Sequence, residues 1–151
     1  MIAALNRTVL LHSEYALLCD IAVATPETVF QDMPHAAFGI APNDGVHLLW
    51  PEMIGSIRGR YFVLMQKKLD AAEAQSLGVV NEIVPADQLL ERVHAIAATV
   101  AKQPPLTTKY TRKGLTQRLR RVIDEGIGYG RALEGITAAQ VACVAAAQNA
   151  A

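Results

Sequence analysis

Apolar residues are distributed along this chain in two ways, as short unbroken runs and as stripes at helical spacing, and their alternation predicts a mixed α/β chain. Residues 13–18 carry polar positions and read as a helical turn, after which the apolar run 19–24 reads as a buried strand. Residues 34–45 are predicted as a loop: a proline and glycines set its bend, and Asn43-Asp44-Gly45 reads as a turn or a helix start. A short helix is expected over 46–53, ended near Pro51, and another over 56–67 with Ile57, Tyr61, Leu64 and Met65 on one side. Asp70 caps a further short helix, with Glu73 three residues on as in a capping box, and Gly78 ends it. Residues 79–84 read as a strand leading into a helix over 87–102, whose buried stripe is Leu89, Leu90, Val93, Ile96, Ala97 and Val100. Pro104-Pro105 then separates residues 1–103 from a helical region, 104–151, with helices near 106–113 and 117–147. Gly126, Gly128, Gly130 and Gly135 interrupt the last helix at about 1 kcal/mol each relative to alanine, so close approach of another helix or a ligand is expected there. The alanine-rich tail after Gln140 reads as a frayed helix end.

Charge and cysteine usage narrow the function classes. The 151 residues carry 14 basic and 14 acidic side chains, so no polyanionic partner is indicated and nucleic-acid binding is not expected. The basic run from Lys109 to Arg121 reads as a solvated helix face rather than a phosphate site. Cys19 and Cys143 lie far apart without metal-ligand spacing, and Cys19 falls in an apolar run where a free thiol acts as a small hydrophobe. The chain opens without a charged-then-apolar leader pattern and holds no apolar run of ~18 residues, so the expectation is a cytoplasmic chain with no membrane partner.

The candidate chemistry sits in two neighbouring segments, HSEYALLCDIAVA at 12–24 and PHAAFGIAPNDG at 34–45, which place His12, Glu14, His35 and Asp44 close together in sequence. Their order of Glu14, Ala16, Cys19-Asp20, an apolar strand, Phe30, Pro34, Gly39, Pro42 and Gly45 resembles the crotonase (enoyl-CoA hydratase/isomerase) superfamily. LDAAEAQSLGVVNEIVP at 69–85 is similar to that family's short helix, glycine turn and strand, and PPLTTKYTRKGL at 104–115 falls where its C-terminal helices begin. The resemblance runs from Met1 to about Ala138. It implies a truncated ββα spiral core over 1–103 followed by trimerisation helices over 104–151. Met1-Ile2-Ala3-Ala4-Leu5 matches a strand from the middle of the family core, so the chain is expected to be a fragment, poorly soluble and inactive alone.

Within the superfamily, His12, Pro34-His35 and Pro42-Asn43-Asp44-Gly45 look most like the β-diketone hydrolases typified by 6-oxocamphor hydrolase. A hydratase uses two carboxylates. The resemblance puts the first at Glu14 but a histidine, His35, in place of the second. It also replaces the glycine-rich oxyanion segment by Leu10-Leu11-His12, where the Leu11 N–H is left as a donor. The implied reaction is hydrolytic C–C cleavage of a cyclic 1,3-diketone by water activated at His35 with Asp44 behind it, and His12 holding or protonating the enolate oxygen.

Plainer roles stand beside these. Asp44 could be a helix N-cap, and His12 is equally a satisfied core histidine. Glu134 matches an acidic residue sent into the pocket by those hydrolases, or pairs with Arg131 one turn earlier; Glu14 either keeps the hydratase role or anchors its turn. His47 and His94 read as surface or packing histidines. His12, His35 and Asp44 lack helical i, i+4 ligand spacing, so neither a metal nor a cofactor is expected. The expected partners are a small ketone and further copies of the chain, as a homotrimer or dimer of trimers. Enoyl-CoA hydratase or isomerase activity on an acyl-CoA, and a non-catalytic fragment, are the alternatives.

Overall fold

The computed structural model describes residues 1–149. Strands β1 (Ile2–Leu5), β2 (Ile21–Ala24) and β5 (Glu82–Ile83) form a parallel sheet in the order β1-β2-β5. Ile2 pairs with Ile21 and Ala24 with Ile83, so helical segments must carry the chain between neighbours, as parallel pairing demands. A second, antiparallel pair joins β3 (Val29–Phe30) to β4 (Leu69–Asp70). Helix α1 (Glu14–Leu17) lies between β1 and β2, and α2 (Met33–Ala37), α3 (Val46–Ile54) and α4 (Ser56–Leu64) between β3 and β4; α5 (Ala71–Ser76), α6 (Leu89–Ala101), α7 (Pro105–Leu115) and α8 (Gln117–Asn149) follow. The mixed α/β fold with a helical C-terminal region is the one expected from the sequence.

The core gathers around Trp50 of α3, whose ring stacks on Phe62 at 4.1 Å and meets Phe30 edge-on at 5.6 Å. All three are fully buried. The indole Nε1–H donates to Ser13 Oγ at 2.9 Å, which ties α3 to the residue just before Glu14. Pro51 does not end α3. The helix runs on to Ile54, and Gly59 lets α4 close against that turn: a Cβ there would stand 2.5 Å from Pro51 Cα.

Several local expectations change. The strand predicted over 19–24 starts at Ile21, because residues 19–20 form the turn that closes α1. Residues 79–84 contribute only two strand positions, and β3 and β4 are too short to show a period of two. On α4 the apolar stripe is inverted: Ile57, Tyr61, Leu64 and Met65 are exposed, while Gly59 and Phe62 face the core. On α6 only Leu89 is buried, with Val93, Ile96 and Val100 half-buried and Leu90 and Ala97 exposed. The basic run is a solvated face, with Arg112 paired to Asp20 and Arg118 to Glu52. Cys143 is exposed and Cys19 half-buried, both as free thiols. Among the described residues no helix is long and apolar enough to cross a membrane.

The glycines do not break α8, which is continuous over 33 residues to Asn149; the last two positions of the predicted tail lie outside the described residues. A Cβ on Gly126 would meet Leu48 Cδ2 at 2.6 Å, and one on Gly130 would lie 2.5 Å from the Asn43 carbonyl oxygen and closer still to the His47 ring. These two glycines are where α8 lies on α3. Gly128 and Gly135 face open space. Gly130→Ala is therefore expected to destabilise the chain by ~1–3 kcal/mol through overpacking. Gly128→Ala should instead stabilise it by up to ~1 kcal/mol. Urea unfolding of the pair checks this, and equal midpoints would show that α8 docks differently.

Candidate active site

The chain reaches the site from three directions. The bend before α1 delivers His12 with φ of 54°, in the left-handed region, so that its ring turns back over the start of α1. There Nδ1 lies 2.9 Å from Glu14 Oε1 and 3.0 Å from Asp44 Oδ2. Asp44 itself is brought in by Gly45, whose φ of 141° turns the chain into α3 and whose missing side chain leaves room for Glu14 Cγ, 3.2 Å from where a Cβ would be. The N-cap of α3 is Gly45, not Asp44, so the capping role does not hold and the Asp44 carboxylate is free to face the histidines. Helix α8, held on α3 by its glycines and by the Ala41 N–H donating to Thr137 Oγ1 at 2.9 Å, brings Glu134 to the opposite wall.

His35 is not on a loop. It lies in α2, buried, and its Nδ1 is 2.7 Å from Asp32 Oδ1, while its Nε2 looks toward Asp44 Oδ2 at 3.5 Å. Asp44 thus stands in front of the ring and Asp32 behind it. The sequence reading missed Asp32, although Asp-x-Pro at 32–34 is a helix-start pattern that would have placed a carboxylate one turn before His35.

Between these elements opens a cleft of about 400 Å³, with Leu18, Leu49, Ile123 and Ile127 as its apolar side and His12, Glu14, Asp44 and Glu134 as its polar end. Arg131 and Glu134 both line it, but form no ion pair. A smaller cleft of about 240 Å³ beside α4 holds the ordinary Lys67–Glu73 pair and no histidine. His94 is exposed and His47 is packed under Gly130 with its nitrogens lacking partners, as a packing histidine. Leu11 is on the exposed bend ahead of His12.

Four carboxylates around two imidazoles set the electrostatics. Burial lowers the proton affinity of His35, but the hydrogen bond and charge of Asp32, with Asp44 and Glu134 beyond, outweigh it and hold its pKa above the usual value. Burial raises Glu14 above the ordinary carboxylate range, opposed by backbone hydrogen bonding and His12. Glu14 Oε2 and Asp44 Oδ1 are buried without a partner. The ligand atoms of His12, Glu14 and Asp44, and those of His35, Asp44 and Glu134, lie within 4.8 Å of one another. That closeness is the pairing of imidazole with carboxylate, and no metal role is assigned to it. Buried polar groups converging on an apolar cleft suit proton transfer on a small, largely apolar molecule.

Residues 13–140 match the family described as enoyl-CoA hydratase/isomerase. A β-diketone hydrolase from the cyanobacterium Anabaena, solved with (S)-3-oxocyclohexyl acetic acid, is 57% identical and superimposes with a TM-score of 0.91 over 93% of this chain. This chain spans 56% of that one. A short-chain enoyl-CoA hydratase of Clostridioides difficile is 29% identical over 90% of this chain and 87% of its own length. A probable peroxisomal enoyl-CoA hydratase of Arabidopsis thaliana is 33% identical over 76% of this chain and 40% of its own. The fold, the matched residues and these likenesses agree: the chain belongs to the enoyl-CoA hydratase/isomerase, or crotonase, family.

Proposed function

We propose that this chain carries the water-activating half of a β-diketone hydrolase active site, cleaving a C–C bond of a cyclic 1,3-diketone. The observation that carries the reading is the buried His35 facing Asp44 across 3.5 Å, with Asp44 at the polar end of an apolar cleft and His35 at the position where the family resemblance puts a hydratase's second carboxylate. The 57% identity to the Anabaena enzyme supports it.

In this reading Nε2 of neutral His35 takes a proton from water as the water oxygen adds to one ring carbonyl. The tetrahedral oxyanion is met by the Leu11 N–H. Collapse of that intermediate breaks the bond to the carbon between the carbonyls, and the electron pair passes into an enolate. His12, held by Glu14 and Asp44, stabilises the enolate oxygen, and the proton that His35 took from water is returned to the enolate, leaving a keto acid. Glu134 bounds the substrate from α8. Because His35 acts only when neutral and its pKa is held up, the rate should rise with pH through a value above the ordinary histidine range. The helical region 104–151 would assemble a homotrimer, and no cofactor takes part.

Enoyl-CoA hydration through Glu14 is the second reading, favoured by the names of the curated relatives and by a buried Glu14 on the cleft. One assay separates them. The chain is joined to the first part of the Anabaena enzyme, to match that protein's length, and offered cyclic 1,3-diketones and a short enoyl-CoA. Diketone opening without hydration is expected. Hydration alone would leave the hydrolase reading untenable, and neither activity would favour a non-catalytic role.

A further inference from the structure

We infer that Asp32 is the positioning residue of the site: it fixes the tautomer and orientation of His35, so that Asp44 is released to work on the substrate side. The inference rests on reading His35 as the base.

Three observations converge on it. An ionised carboxylate only accepts, so with Asp32 ionised, as the hydrogen bond and charge of His35 favour against its burial, the 2.7 Å contact from Asp32 Oδ1 to His35 Nδ1 puts the ring proton on Nδ1. That leaves the lone pair on Nε2, the nitrogen turned to Asp44, which lines the cleft. Secondly, Asp32 occupies the N-cap of α2 yet makes no capping hydrogen bond. One of the two amides that such a cap serves belongs to Pro34 and has no N–H, so the side chain is diverted to the ring one turn on. Thirdly, both groups are buried, which strengthens the contact and excludes water from the back of the imidazole.

Asp44 has a different place. Its Oδ2 is shared between His12 Nδ1 at 3.0 Å and His35 Nε2 at 3.5 Å, the second too long for a hydrogen bond. It faces the nitrogen that must receive a proton, so it guides the incoming water rather than holding the ring. The charged groups facing His35 are Asp32 at the head of α2, Asp44 before α3 and Glu134 on α8; His12 and Glu14 act through Asp44.

The test is nitrogen NMR of the histidine rings in the protein completed with the first part of the Anabaena enzyme, with His35→Gln assigning the signal. Above its titration, the unaltered protein should show a protonated Nδ1 and a pyridine-like Nε2 at His35. Asp32→Asn, which keeps an acceptor oxygen and removes the charge, should lower the His35 midpoint by ~1 unit or more. It should also move the acid limb of diketone turnover to lower pH in the completed protein. An Nε2-protonated tautomer in the unaltered chain overturns the proposal even if the variant fails to fold, and so does an Asp32→Asn midpoint that does not move. Both ring measurements are made without substrate, so loss of the hydrolase reading would leave them standing.

Discussion

Asp44→Asn is expected to leave the stability of the fold nearly unchanged and to reduce diketone turnover by ~10² or more, the range general acid–base catalysis supplies. Stability should hold because Asp44 caps nothing: α3 starts from Gly45 without a side-chain cap. Turnover should fall because the Oδ2 atom lies between His12 Nδ1 and His35 Nε2, at 3.0 and 3.5 Å. An amide there cannot stabilise the imidazolium that proton transfer creates at His35, and it weakens the hold on the His12 ring. Urea midpoints and initial rates in the length-matched protein measure the two quantities. Unaltered turnover would remove Asp44 from the chemistry and leave Asp32 as the one carboxylate His35 needs.

The second large effect is structural. Trp50→Ala should destabilise the chain by ~3–5 kcal/mol, since it empties the space between Phe30 and Phe62. Trp50→Phe keeps most of that contact but strands the buried Ser13 hydroxyl, which the indole N–H reaches at 2.9 Å, at ~1–3 kcal/mol. The ordering of the two variants in urea carries the point: because Ser13 adjoins Glu14, the phenylalanine variant should lose more turnover than its stability loss explains. A loss below ~1 kcal/mol for alanine would mean that the aromatic stack does not hold the core.

Legibility in the sequence followed length. The N-cap half of the capping box at Asp70 is present as read, with the Asp70 carboxylate accepting from the Glu73 N–H at 2.8 Å, because that pattern is local and chemical, while the Glu73 carboxylate pairs with Lys67 instead of reaching back. The glycines of α8 correctly called for a close neighbour, yet only Gly126 and Gly130 have one, since spacing alone does not say which face meets α3. The stripe on α4 failed for the same reason: apolar periodicity marks a face without telling which neighbour, if any, covers it. Strands of two residues were beyond reach. In the site, His12, Glu14, His35, Asp44 and Glu134 do come together, over more than a hundred residues of separation, and it was the resemblance rather than periodicity that brought Glu134 to the cleft. Asp32 is not legible from the sequence so long as residues 34–45 read as a loop, in which an aspartate two places upstream of the first proline has no defined direction.

His12 adopts its left-handed backbone without being a glycine. Such a conformation raises the free energy of the folded state by roughly 1–3 kcal/mol, and neighbouring packing has to hold it. On the role proposed for His12, selection for heat resistance alone will therefore drift toward glycine or asparagine at this position and cost activity while improving melting behaviour. On that proposal thermal robustness and turnover are opposed at this one residue, so any directed-evolution campaign on the scaffold has to score both in the same round.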